Sequence, residues 1–327
     1  MSHAIRFDAP GGPEVLRWEE VAVGDPAPNE ARVRHHAVGL NYIDIYHRSG
    51  AYPVPLPSGI GLEGAGVVEA VGSAVTDATG IRAGDRVAYA GGPIGAYAEV
   101  RNMPADRLVK LPDAIDFKTG AAMMLQGMTA QYLLRRTCRV EPGDTLLIHA
   151  AAGGVGLIVC QWAKALGATV IGTVGSDEKA ALAKAHGCDH AIIYTRENFV
   201  ERVKDITGGK GVRVVYDSIA KDTFMGSLDC LRPLGMMVLF GAASGPAPLL
   251  DSGELAKRGS LFFTRPTLFT YIAQRSDLLA ISGELFDVVT SGKVKIEVNQ
   301  SYALKDAAQA QIDLVARKTT GSTVLLP

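Results

Sequence analysis

The chain has 327 residues, with 33 Lys and Arg against 34 Asp and Glu and a formal net charge of −1. That length allows two domains, and the charge balance supplies no basic field for nucleic acid or an anionic membrane. Cys138, Cys160, Cys188 and Cys230 are too dispersed for a zinc site, and Met1 to Arg6 lacks the apolar core of a signal peptide, so a cytoplasmic protein with packing thiols is expected.

In chain order, the first 120 or so residues read as β-rich. Strand patterns run over 31–38, 67–71 and 86–90, punctuated by Gly11-Gly12-Pro13, Pro53 to Pro57 and Gly91-Gly92-Pro93. A short helix is expected over 42–49. Ala83-Gly84-Asp85 reads as a tight turn into the third strand. From about Ala121 the period changes. A helix is expected over 118–134, followed by strand 145–150, helix 154–166, strand 168–174, helix 177–186, strand 190–194, helix 197–207, strand 212–217, helix 221–231, strand 236–240 and strand 261–264. Gly167, Gly187, Gly208 and Gly235 fall where helices should end in a left-handed residue. A helix near 272–291, a strand near 294–298, a helix near 305–317 and a strand over 323–326 close the chain. They are too few for a separate domain, so they are expected to return and complete the N-terminal one.

Alternating strands and helices imply a doubly wound parallel sheet of the Rossmann type beside a β-rich domain. Thr145 to Ala163 carries no Asp, Glu, Lys or Arg and approaches the length of a membrane span. Its clustered glycines and β-rich first third favour strand–turn–helix instead. Leu146 to Ile148 is the strand, Gly153, Gly154 and Gly156 form the turn, and the helix stops at Gly167. Free N–H groups and the positive dipole end of such a helix suit a pyrophosphate. Ala151 stands where the usual pattern has its first glycine; the strand before and the helix after supply the context the motif needs.

The second strand of the unit ends Val174-Gly175-Ser176, with Lys179 in the next helical turn. A hydroxyl and a cation suit a 2′-phosphate better than a ribose diol, which favours NADPH over NADH. The plainer alternative is that Ser176 only caps the helix, with Asp177 and Glu178 complementing its dipole. Asp177 also offers a carboxylate to a diol. Ser218, Phe240, Gly241, Thr264 and Arg265 follow strand ends, where open α/β sheets bind ligands.

Several motifs together carry a resemblance. They are Gly11-Gly12-Pro13-Glu14-Val15-Leu16; Asn41-Tyr42-Ile43-Asp44 with Tyr46, Arg48, Gly50, Tyr52 and Pro53; Gly61-Leu62-Glu63 with Ala65-Gly66; His149 to Gly156; and Thr264-Arg265-Pro266. Over essentially its whole length the chain resembles the zinc-independent, zeta-crystallin-like NADPH:quinone oxidoreductases of the medium-chain dehydrogenase/reductase superfamily. The resemblance implies a GroES-like catalytic domain over 1–122 and 267–327 and an NADP-binding Rossmann domain over 123–266. It places Asn41, Tyr46 and Tyr52 at nicotinamide and acceptor. It assigns the cofactor to Tyr42, Tyr132, Gly153, Gly154 and Val155, and to Gly175, Ser176 and Lys179. It adds Tyr194 beside the adenine ribose and Arg317 as a second partner for the 2′-phosphate. Alternatives stand beside these roles: Asn41 as the cap of helix 42–49, the tyrosines as packing, Arg317 as a helix-end cation. The resemblance also implies a homodimer paired through the edge strand 261–264; a loop covering that edge is the alternative.

By motif alignment, the positions that hold zinc ligands in metal-dependent relatives carry Asn41, Leu62 and Gln126, so no metal is expected and no Lewis acid polarises an alcohol. The remaining chemistry is one a nicotinamide performs with little help: hydride, or single-electron, transfer to a quinone, with the protein orienting the pair. Two other readings compete. One is an NADPH-dependent enone or enoyl reductase. The other is a non-catalytic NADPH-binding structural or RNA-binding protein, which the neutral charge disfavours.

Overall fold

The computed structural model describes residues 2–75 and 79–327. The chain divides into two compact units, one of Met1–Met128, Ile272–Thr290 and Ile296–Pro327, the other of Thr129–Tyr271 and Ser291–Lys295.

The first unit begins with β1 (Ser2–Phe7), β2 (Arg17–Val21), β3 (Glu30–Leu40), α1 (Tyr42–Ser49), β4 (Ser58–Gly59), β5 (Glu63–Val71), β6 (Arg86–Ala90), β7 (Val100–Pro104), β8 (Val109–Lys110) and α2 (Phe117–Tyr132). The second unit carries β9 (Thr145–Ile148), α3 (Gly154–Ala165), β10 (Thr169–Val174), α4 (Asp177–Ala185), β11 (His190–Ile193), α5 (Phe199–Thr207), β12 (Val212–Asp217), α6 (Phe224–Asp229), β13 (Leu231–Leu239), α7 (Gly253–Lys257), β14 (Phe262–Thr264) and α8 (Leu268–Tyr271). The chain closes with α9 (Arg275–Thr290), β15 (Val298–Ala303), α10 (Ala307–Val315) and β16 (Ser322–Leu326).

In the first unit β15-β16-β3-β5-β6-β8 form one sheet, with β7 also paired to β3, and β2-β1-β4 form a second. The closing strand β16 runs antiparallel to β3, so Val324 lies opposite Gly39. The C-terminal segment thus completes the N-terminal sheet. Alternate residues of β3, among them Ala31 and Val33, join Phe7, Tyr89, Tyr97 and Leu325 in a core with no more than 3% exposure, the outcome expected of half-buried strands.

In the second unit the sheet order is β11-β10-β9-β12-β13-β14, and all its pairings are parallel. Counted from β9, this is the order 3-2-1-4-5-6 of a dinucleotide-binding sheet, which reverses direction between β9 and β12. Leu147, Val215, Met237 and Phe224 are fully or almost fully buried at its centre.

Several boundaries differ from the sequence expectations. Gly235 is not a left-handed helix end: it lies inside β13, and Leu234 takes φ 61° instead. The pairing jumps from Val212↔Leu231 to Val214↔Met236, so the extra residues form a bulge that reads locally as loop. The short strand expected near 294–298 lies at Val298–Ala303; Val294 is buried in the connection, while β15 alternates half-buried and exposed residues. Gly167, Gly187 and Gly208 do adopt positive φ. Among the described residues, no helix is long and apolar enough to cross a membrane, which settles the reading of Thr145 to Ala163.

Candidate active site

In the second unit, the candidate residues gather where the parallel strands end. Gly153 follows β9 as the N-cap of α3, and Gly154 and Val155 open the helix. No side chain caps α3, whereas Ser176 caps α4 and Asn198 caps α5. The left-handed residue of the turn is Ala150 (φ 55°). Gly156 is needed for closeness: a Cβ there would stand 2.3 Å from the Ala150 carbonyl oxygen. Gly175 and Ser176 follow β10, and a Cβ on Gly175 would meet the Tyr194 hydroxyl at 3.0 Å. Ser218 follows β12 and Phe240 follows β13; a Cβ on Gly241 would stand 2.6 Å from the Ser218 carbonyl oxygen. Thr264 ends β14, with Arg265 exposed beyond it. An uncapped helix start, a glycine at its N-cap and a sheet reversal beside it fit a dinucleotide pyrophosphate.

A buried polar chain pins this end of the sheet. Ser227 Oγ donates to Asp217 Oδ2 at 2.8 Å, so it accepts from His149 Nε2 at 2.9 Å, and His149 Nδ1 accepts from Thr173 Oγ1 at 2.9 Å. Burial holds the His149 imidazole below its usual pKa, hence neutral. Three strand ends are tied together directly before the glycine loop.

Ser176 accepts from the Lys179 backbone N–H at 3.3 Å, so it does cap α4. Asp177 is held by Arg196, whose Nη1 and Nη2 donate at 2.7 and 2.6 Å. That contact was not foreseen, because Arg196 follows the neighbouring strand β11 and only sheet pairing brings the two together. It lowers the Asp177 pKa and supplies a cation beside the carboxylate that complicated the choice of cofactor. Tyr132 is buried and stacks on Tyr271 at 4.4 Å; burial raises its phenol pKa. Tyr271 was also missed, since its short helix α8 carries no periodic signal.

In the first unit, Asn41, Tyr42, Tyr46 and Tyr52 come together. Tyr42 and Tyr46 ring centroids lie 5.3 Å apart, Tyr46 and Tyr52 4.9 Å apart, and Tyr52 N–H donates to the Tyr46 carbonyl at 3.0 Å. Arg317 bears electrostatically on Tyr42 from the end of α10. Asn41 precedes α1, and its backbone N–H donates to Asp44 Oδ2 at 2.9 Å. Asn41 is thus the N-cap of α1 with Asp44 as its capping-box partner, and its side-chain amide reaches further: Nδ2 donates to Glu63 at 2.6 Å, and Oδ1 accepts from Gln126 Nε2 at 3.1 Å. Leu62 is buried. Two hydrogen-bonded amides and a leucine are not a zinc ligand set.

Burial raises Asp44 to about 7 and Glu63 to about 8. Each therefore holds its proton more tightly folded than unfolded. Their stabilisation is complete below the unfolded carboxyl values and is lost as pH rises through the folded ones. His35, lowered to about 4 by burial, works in the opposite direction, but only below the unfolded imidazole value. Between about pH 6.5 and pH 8 the acids dominate, and the unfolding free energy is expected to fall by about 1–3 kcal/mol. Urea unfolding at the two pH values checks this; equal or greater stability at the alkaline value would contradict it.

Comparison with known proteins extends over the full length. Residues 27–113 match the alcohol dehydrogenase GroES-like domain family and residues 154–278 the zinc-binding dehydrogenase family. The chain is 55% identical to a quinone oxidoreductase of Pseudomonas aeruginosa, covering 100% of both chains. It is 50% identical to a 2-haloacrylate reductase of a Burkholderia species, covering 97% of this chain and 96% of that one. A crystal structure of Escherichia coli quinone oxidoreductase complexed with NADPH superposes with a TM-score of 0.97 at 51% identity, covering 99% of this chain and 100% of that one.

Proposed function

The chain belongs to the quinone oxidoreductases of the medium-chain dehydrogenase/reductase superfamily, and from that premise we propose that it reduces a quinone with NADPH. The observation that carries the proposal is the full-length likeness to an NADPH-complexed relative, TM-score 0.97. In this reading the second unit is the nucleotide-binding domain and the first the catalytic domain.

When bound, NADPH supplies hydride from nicotinamide C4. The chain's task is to hold and orient. Backbone N–H groups at Gly154 and Val155 receive the pyrophosphate, and Gly153, whose own N–H donates to the Ala150 carbonyl at 2.9 Å, lets it approach the backbone. Ser176, Lys179 and Arg317 receive the 2′-phosphate; Tyr194 flanks the adenine ribose, next to Gly175. Tyr132, Ser218, Phe240, Gly241, Thr264 and Arg265 complete the contacts to the cofactor. Asn41, Tyr46 and Tyr52, with Tyr42, face nicotinamide and acceptor and exclude water. A quinone needs no polarising metal, and solvent protonates the hydroquinone anion that hydride addition leaves.

The 50% identity to a 2-haloacrylate reductase favours a second reading, hydride delivery to the β-carbon of a conjugated carbonyl. There a tyrosine has a proton to give. Tyr52→Phe separates the two: quinone turnover persists while any enone turnover falls about tenfold or more. A wild type that reduces enones and no quinone would overturn the first reading.

We also propose a homodimer in the cytoplasm. Its support is β14, an edge strand whose Phe262 is 56% exposed and whose Phe263 is 38% exposed. Phe262→Asp is expected to convert a dimer to a monomer in light-scattering chromatography. A monomeric wild type would contradict the proposal.

A further inference from the structure

Four side chains of the first unit form a hydrogen-bonded chain whose links all run in one direction. Ser322 Oγ donates to Gln126 Oε1 at 2.7 Å, Gln126 Nε2 to Asn41 Oδ1 at 3.1 Å, and Asn41 Nδ2 to Glu63 Oε2 at 2.6 Å. The other Glu63 oxygen accepts from the Leu125 backbone N–H at 2.7 Å. Glu63 is fully buried, Ser322 2%, Asn41 4% and Gln126 9% exposed. Glycine makes the room: a Cβ on Gly39 would stand 2.2 Å from Glu63 Oε2 and 2.3 Å from the Ala121 carbonyl oxygen. Asn41 and Gln126 hold two of the positions where metal-dependent relatives bind zinc. Glu63 belongs to Gly61-Leu62-Glu63, a motif to which the functional reading gives no task.

A primary amide is nearly symmetric in shape, so packing alone does not decide which end faces which neighbour. A carboxylate decides, because it only accepts. It draws Asn41 Nδ2 towards itself, which turns Asn41 Oδ1 to Gln126 and Gln126 Oε1 to Ser322. A protonated Glu63 donates instead, and every link then reverses. We propose that Glu63 is a positioning residue for hydride transfer: as a carboxylate it fixes the direction of the Ser322–Gln126–Asn41 chain, and so fixes which groups of the Asn41 amide are left for the reacting pair. This rests on the proposed placement of Asn41 at nicotinamide and acceptor.

The surroundings make Glu63 responsive. Burial is the main cause of its raised pKa, about 8, and the Asp44 carboxyl on α1 adds to it. The phenols of Tyr89 on β6 and Tyr97 both feel Glu63. Tyr89 in turn shares a 2.8 Å hydrogen bond with His35 Nε2 of β3, and Arg101 of β7 lies 5.8 Å over its ring. From α2, Glu63 receives backbone N–H groups.

The test uses the full-length protein and the variants Glu63→Gln and Asn41→Asp/Glu63→Gln. Side-chain amide resonances of Asn41 and Gln126 in 15N-labelled protein are followed against pH without substrate. In wild type both are expected to move together with one midpoint; in Glu63→Gln that midpoint vanishes. With NADPH and 1,4-benzoquinone, wild-type kcat is expected to rise with pH through the same midpoint. Glu63→Gln is expected to lose this limb and about 10- to 100-fold in kcat, with the NADPH Kd changed less than about threefold. The double variant restores the number of hydrogen bonds and the charge but leaves no donor at position 41. It is expected to regain thermal stability and not kcat. Amide resonances that ignore pH, a fully active Glu63→Gln, or recovery of kcat in the double variant would each overturn the inference. A wild type inactive on quinones overturns the functional reading and this role with it, while the amide titration still reports the direction of the chain.

Discussion

Gly156→Val is expected to raise the NADPH Kd at least about 100-fold, a change of roughly 2.7 kcal/mol. The cause is distance. A Cβ at 156 would lie 2.3 Å from the Ala150 oxygen and 2.7 Å from the Ala151 carbonyl carbon and oxygen. These are backbone atoms with no rotamer to relax into, and overpacking of this kind costs about 1–3 kcal/mol even before the ligand is considered. Relief requires α3 to move away from the loop that follows β9. That movement withdraws Gly153, Gly154 and Val155 from a common pyrophosphate and disturbs Ala151 N–H, which donates to the Thr173 carbonyl at 3.0 Å. Titration of intrinsic fluorescence with NADPH checks the affinity, and circular dichroism checks that the variant is folded. A folded variant that binds NADPH within about threefold of wild type would show that the loop does not carry the phosphates.

Removing cations beside the end of β10 is the second large change. Lys179→Ala is expected to weaken NADPH about tenfold and to leave NADH unchanged, because a 2′-phosphate, unlike a diol, needs charge. Arg196→Ala acts by a different route. Arg196 grips Asp177 through two nitrogens, at 2.7 and 2.6 Å. Without it, the carboxylate is released next to Ser176, where it repels a phosphate and can accept from ribose hydroxyls. NADPH is expected to weaken about tenfold while NADH tightens, so the preference narrows from both sides. Kd values for both nucleotides with each variant decide the matter. Equal loss of NADPH and NADH in Lys179→Ala would remove that lysine from phosphate recognition.

Much of this was legible in the sequence because it is local. The run from Leu146 to Gly156 announces strand, turn and helix through its own residues, and the order of the elements after it implies a parallel sheet. What remained hidden depends on pairing across the chain. Arg196 meets Asp177 because β10 and β11 are neighbours in the sheet. Ser322 meets Gln126 because β16 returns to pair with β3. Glu63 stood in view inside a motif, yet its link to Asn41 needs β5 beside β3 and a glycine at 39. Local signals also misled where a residue did something unusual for its type. Leu234 takes the left-handed conformation that Gly235 was expected to take, and Ala150 takes another where its residue type gives no sign of it. Asn41 is the helix cap it looked like, and its amide has further partners in Glu63 and Gln126 that no local signal announced.

The most direct test of the central claim is the initial rate of NADPH oxidation with 1,4-benzoquinone, followed by loss of reduced-nicotinamide absorbance, with and without EDTA and with NADH in place of NADPH. The account predicts rapid turnover with NADPH, unchanged by the chelator and much slower with NADH. Tight NADPH binding without quinone turnover, or activity that EDTA abolishes, would contradict it.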